Sequence, residues 1–166
     1  MSSILMISGL PCKEDAIELL NRSGKKILGL GDVECPQRIK NFKGILGEID
    51  SVTAMKYMER NGLLVNRELD LSVDFSTPFV IAHEPPFGVG TGYILDISIG
   101  SRGLRAKVLS NLFRINTLFH GHSEIQIEVN FHGVKIVSIG LGSNKQLVEY
   151  RGEGKYSFIS LDELVR

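Results

Sequence analysis

The sequence predicts an α/β domain, and two observations carry that prediction. The first is a strand–helix–strand opening, in which apolar runs at residues 3–8 and 26–30 flank a segment of helical periodicity. The second is that several apolar runs stop abruptly at glycine, proline, histidine or a carboxylate. The clearest is Phe79-Val80-Ile81-Ala82, which ends in His83-Glu84-Pro85-Pro86. Two prolines forbid further regular pairing, so His83 falls at a strand's C-terminal end, where open α/β sheets place their ligands. With 166 residues, 43% of them hydrophobic, the length suits one domain, residues 1–166, with a full core.

The elements follow in order. Residues 3–8 read as a buried strand that Gly9 and Pro11 break. Residues 13–22 put Ala16, Ile17, Leu19 and Leu20 on one helical face, and Gly24 ends that helix. Residues 26–30 form a second strand closing on Gly31-Asp32, which implies a parallel pair joined by a right-handed crossover. Gly29-Leu30-Gly31 is not a dinucleotide-binding turn: Asp32-Val33-Glu34-Cys35-Pro36 stands where that motif needs its third glycine.

Residues 42–46 predict a third strand leading into Gly47-Glu48-Ile49-Asp50. Asp50 or Ser51 then caps a helix over residues 52–60. Short strands are expected at 63–65, 69–73 and 79–82. Residues 85–101 form a glycine-rich loop, long enough to be functional. Residues 103–113 predict a helix and 116–119 a strand running into His120. Ile125, Ile127 and Val129 alternate up to a turn at His132-Gly133, and Val134 and Ile136 return as the second arm of a hairpin. Residues 156–160 give a last strand, and 161–166 a short tail.

Charge and cysteine usage narrow the function classes. Lysine plus arginine equals aspartate plus glutamate, 19 against 19, so nothing in the charge indicates nucleic-acid binding. No apolar run approaches the roughly 18 residues of a membrane span, and the amino end lacks the pattern of a signal peptide. A cytoplasmic protein is expected. Cys12 and Cys35 each follow a glycine-containing turn after adjacent predicted strands, which brings them to one rim. A thiolate metal ligand and a redox-sensitive pair are both conceivable there; two unconnected reduced thiols are the favoured reading.

Five polar residues adjoin the strand ends: Asp32, Glu48, His83, His122 and Glu124. Imidazole with carboxylate suits manganese, iron or zinc, unlike a thiolate structural zinc site. Each also has a structural alternative. Glu48 is nearly as well explained as a charge at a helix start, and Glu124 as an exposed strand residue. His120 reads as a packing or supporting group, and His132 as a turn residue.

These motifs, in this order, resemble the calcineurin-like metallophosphoesterase family, in particular its small archaeal and bacterial branch. The resemblance runs over nearly the whole chain: Gly31-Asp32, Gly47-Glu48-Ile49-Asp50, His83 before the proline pair, and Gly121-His122-Ser123-Glu124, with Ser98-Ile99-Gly100-Ser101 leading into a helix. It implies a four-layer α/β/β/α sandwich of two mixed sheets. It also implies a metal-dependent phosphoesterase acting on a small phosphomono- or diester.

The pattern departs from the family in three places. Gly9-Leu10-Pro11 stands for the family's Asp-x-His, Glu48-Ile49 for its asparagine and histidine, and Glu124 for its last histidine. Carried over, one metal site loses both first-motif ligands. The other keeps Asp32, His83 and His122, with Glu48 replacing a neutral amide. One divalent ion is therefore expected, not the pair that clamps attacking and leaving oxygens. Ile49 occupies the place of the usual general acid, so no catalytic residue is assigned. The alternative is a catalytically inactive scaffold of the same fold, with a protein partner or a second copy of itself.

Overall fold

The computed structural model describes residues 3–47, 50–89 and 100–165. Eleven strands and three α-helices are described, together with short 3-10 turns. In chain order they are β1 (Ile4–Ile7), α1 (Glu14–Arg22), β2 (Lys26–Leu30), β3 (Phe42–Ile45), α2 (Val52–Arg60), β4 (Arg67–Glu68), β5 (Leu71–Ser72), β6 (Phe79–Ala82), α3 (Arg102–Leu109), β7 (Thr117–His120), β8 (Gln126–Phe131), β9 (Val134–Ile139), β10 (Gln146–Gly152) and β11 (Lys155–Ser160).

Two mixed sheets result. The first runs β11-β10-β1-β2-β3, the second β4-β5-β6-β7-β9-β8. β1, β2 and β3 are parallel, as the strand–helix–strand opening requires, and so are β5, β6, β7 and β9. Alternation along β1 shows how the layers form. Leu5 and Ile7 join Ile17, Leu20 and Met58 in a core beneath α1 and α2, while Ile4 and Met6 join Ile81, Phe119 and Tyr150 between the sheets. Val80 and Leu118 of the second sheet pack with Val108 of α3 in a third core. A strand buried on both faces must be apolar throughout, which is why these runs are so legible.

Several elements differ from expectation. α3 stops at Leu109 rather than residue 113, because Ser110 Oγ donates to the Ala106 carbonyl at 2.9 Å and Asn111 Nδ2 donates to the Lys107 carbonyl at 2.7 Å. Such side chains compete for the last carbonyls and close a helix. Residues 63–65 make only an isolated bridge between Leu64 and Gly44. β10 has no counterpart among the expected strands, yet it lies between β1 and β11. Its Glu149 carboxylate accepts from Ser3 Oγ at 2.8 Å, so the charge that hides the strand in the sequence is paired in the fold. Ser51, not Asp50, caps α2, accepting from the Ala54 N–H at 3.0 Å.

The expectation of two separate reduced thiols is overturned, for Cys12 and Cys35 form a disulfide. Backbone pairing of their loops brings them together. The Leu10 N–H donates to the Asp32 carbonyl at 3.1 Å, and the Glu34 N–H to the Leu10 carbonyl at 3.0 Å. A loop closed over 23 residues contributes roughly 3 kcal/mol in the chain-entropy account. Among the described residues, no helix is long and apolar enough to cross a membrane.

Candidate metal centre

Strands from both sheets deliver side chains to one edge. Asp32 follows β2 of the first sheet, while His83 and His122 follow β6 and β7, adjacent parallel strands of the second. The ligand atoms of Asp32, His83 and His122 all lie within 4.8 Å of one another. The two imidazole rings stand edge to face with centroids 5.2 Å apart. Asp32 (φ 58°) and His122 (φ 68°) both hold left-handed backbone conformations. Non-glycine residues adopt these at a cost of about 1–3 kcal/mol, typically at functional sites.

His83 shows what the arrangement accommodates. Its Nδ1 lies 2.7 Å from the Leu30 carbonyl oxygen. A carbonyl only accepts, so this contact assigns the ring hydrogen to Nδ1. In the neutral ring Nε2 then presents a lone pair. It is buried without a hydrogen bond, and Asp32 Oδ2 stands 3.2 Å away. Acceptor facing acceptor is unfavourable unless positive charge intervenes, either a proton on the ring or a cation. A histidine whose second nitrogen donates to a backbone carbonyl is also the usual way a metal-ligating imidazole is oriented. The donor set therefore fits a divalent cation: bonds of about 2.1 Å place donors roughly 3–4.2 Å apart, which small rotations reach from here.

Close backbone approach makes this geometry available. A Cβ on Gly31 (φ 98°) would fall 2.3 Å from His83 Nδ1, and one on Gly47 would fall 2.3 Å from Asp32 Oδ1. Two further residues hold the loops, and neither is assigned a site role by its sequence context. Asp50 Oδ2 accepts from the Asp32 N–H at 3.1 Å and from the Gly47 N–H at 2.6 Å. Buried Ser8 Oγ donates to the Gly31 carbonyl at 3.1 Å and accepts from the His122 N–H at 3.4 Å. The position of Asp50 within Gly47-Glu48-Ile49-Asp50 was the available signal, obscured by the competing helix-cap reading.

The sequence assigns two further donors, Glu48 and Glu124. Glu48 lies outside the described residues. Glu124 is exposed and does not belong to the three-residue group. Leu10, at the place of the first motif, is 2% exposed; its backbone hydrogen-bonds to the Asp32 loop and its apolar side chain joins the core with Val33. His120 is buried within β7, its Nδ1 2.8 Å from the Gly121 carbonyl oxygen, and burial pushes its pKa down to about 4. Burial favours its neutral form, and its Nε2, like that of His83, is buried without a hydrogen bond.

A cleft of about 630 Å3 adjoins the centre, bordered by Gly47, His83, Glu84, Phe75, Leu104 and Lys107. A second cavity, about 380 Å3, touches Asp32 and His122 on the side of Leu10, Pro11, Glu34 and Leu141. Of the glycine-rich stretch 85–101, residues 90–99 lie outside the described residues.

No protein-family profile matches the chain, and no curated protein matches it in sequence. Solved structures do share its architecture. An archaeal phosphodiesterase superposes with a TM-score of 0.60 at 14% identity, covering 95% of this chain and 99% of that one. The Thermotoga maritima protein TM1076 gives 0.57 at 16% identity, covering 96% and 99%. Vacuolar protein sorting 29 of Cryptosporidium parvum gives 0.49 at 15% identity, covering 95% of each. The fold is that of the calcineurin-like metallophosphoesterases, an α/β sandwich of two mixed sheets.

Proposed function

We propose that the protein is a metal-dependent phosphoesterase that holds one divalent cation between Asp32, His83 and His122, with Glu48 as a further donor. The observation that carries this is the buried His83 Nε2, which has no hydrogen bond and faces the Asp32 carboxylate, while Nδ1 is committed to Leu30. The likeness to a phosphodiesterase supports the fold on which such chemistry runs. When bound, the ion supplies a positive charge that polarises a phosphoryl oxygen and acidifies water.

The chain's own residues do the rest. Asp32 brings the negative charge that holds a cation, and Leu30 keeps the His83 lone pair aimed inward. Lys107 borders the adjoining cleft and offers charge to a phosphate, while Phe75 and Leu104 offer apolar surface to the ester group. Glu124 is left out of the ligand set because it is exposed and outside the group. With Leu10 at the first motif, one ion is the expected load. Manganese, iron and zinc all suit these donors. The test is hydrolysis of nitrophenyl phosphate mono- and diesters with each metal. Folded protein that turns over none of them rejects the reading.

A second reading is a non-catalytic scaffold. It is favoured by Leu109 and Phe113, which leave apolar side chains exposed at and beyond the end of α3. It predicts self-association or a stable partner through that surface, lost in Phe113→Asp.

A further inference from the structure

Cys12, Glu34 and Cys35 offer a second set of donors, their ligand atoms also within 4.8 Å of one another. Cys12 lies on the loop after β1 and Cys35 on the loop after β2, and the Leu10–Val33 bridge clamps the two loops side by side. Both sulfurs belong to half-buried residues and Glu34 is exposed, so reductant and metal can reach them. The two Cα atoms are 5.4 Å apart, close enough for both sulfurs to reach one ion. We propose that Cys12, Cys35 and Glu34 form a second, redox-controlled metal site, which takes zinc or another thiolate-seeking divalent cation once the disulfide is reduced.

The chemistry balances with a dithiol as reductant. The dithiol gives up two electrons and two protons and becomes a cyclic disulfide. The Cys12–Cys35 bond breaks and leaves two thiols. Binding the cation releases the two thiol protons. Two thiolates and one carboxylate then fill three positions of a tetrahedral zinc ion, with bonds of about 2.3 Å to sulfur and about 2.0–2.2 Å to oxygen, and leave the fourth to solvent. Soft sulfur donors separate this site from the imidazole and carboxylate set of Asp32, His83 and His122. Glu34 joins the two regions, because it also borders the cavity that Asp32 and His122 line. The oxidised chain has no thiol sulfur to offer a metal; the reduced chain has two.

The experiment counts zinc per chain. Whole protein is prepared oxidised, or reduced anaerobically with a phosphine that does not itself compete as a thiolate. Each form is equilibrated with zinc, freed of unbound metal and submitted to elemental analysis. The reduced form is expected to carry one more zinc than the oxidised form. That additional zinc is expected to persist in His83→Ala and to vanish in Cys12→Ser/Cys35→Ser. Cobalt in place of zinc is expected to give near-ultraviolet thiolate charge-transfer absorbance only after reduction. Should the double variant fail to fold, Glu34→Gln keeps the cross-link and is expected to lose the additional zinc at equimolar metal. Equal zinc in both redox states, additional zinc retained without the cysteines, or cobalt bound without thiolate absorbance overturns the proposal. Loss of the additional zinc in His83→Ala overturns it as well, by assigning that zinc to the histidine centre.

Discussion

The Asp50 carboxylate holds the backbone of Asp32: its Oδ2 accepts from the Asp32 N–H at 3.1 Å and, at 2.6 Å, from the Gly47 N–H of the neighbouring loop. One charged oxygen thus fixes two loops against each other, and it fixes the residue that faces His83 from the first sheet. Asp50→Ala leaves two N–H groups without their acceptor. Hydrogen bonds to charged groups contribute about 1.5–3 kcal/mol. A loss of that size in urea unfolding is expected, together with weaker manganese binding by calorimetry. Unchanged stability and unchanged metal affinity would remove Asp50 from the account.

Gly31 tests the close approach at the centre. Its backbone has φ 98°, and a Cβ there would lie 2.3 Å from His83 Nδ1. Gly31→Ala therefore strains the turn and displaces the imidazole from the Leu30 carbonyl. The expected cost is about 1–3 kcal/mol, with loss of metal binding in protein that still folds. Gly62→Ala is the control, since its added Cβ meets nothing within 4 Å although its φ is also positive (63°). That variant is expected to keep its metal.

Metal should stabilise the fold through the same residues. At manganese concentrations a hundredfold above the dissociation constant, linkage raises stability by about 2.7 kcal/mol. Thermal unfolding with and without chelator measures it. The rise is expected in the unmodified protein and absent in His83→Ala. A variant that responds to manganese as fully as the parent places the ion elsewhere.

Tyr150 sets part of the alkaline limit. Burial and its donation to Asp70 Oδ1 at 2.7 Å both raise its pKa. The folded state therefore holds the phenol proton more tightly than the unfolded chain, whose tyrosine titrates near 10. This contribution is fully present below pH ~10 and is lost as pH rises through the folded value. Tyr150→Phe is expected to lose about 1 kcal/mol at neutral pH and to show a shallower fall in stability above pH 10. An alkaline profile identical to the parent's counts against the assignment.

What could be read from the chain was local. Residues 3–8, 26–30 and 79–82 announced themselves because strands buried on both faces are apolar without interruption. Asp32, His83 and His122 stood out because each sits just past such a run. The order of those runs also carried the resemblance that suggested two mixed sheets. Non-local pairing settled the rest. β10 is invisible in the sequence because Glu149 and Arg151 interrupt its pattern, and only the fold places Ser3 and Lys25 beside Glu149. The disulfide depends on two loops meeting across 23 residues. Asp50 and Ser8 became parts of the centre only when distant backbone N–H and carbonyl groups came within hydrogen-bond reach. Burial leaves its record in the polarity of consecutive residues, whereas a hydrogen bond between distant loops leaves none until the sheets pack.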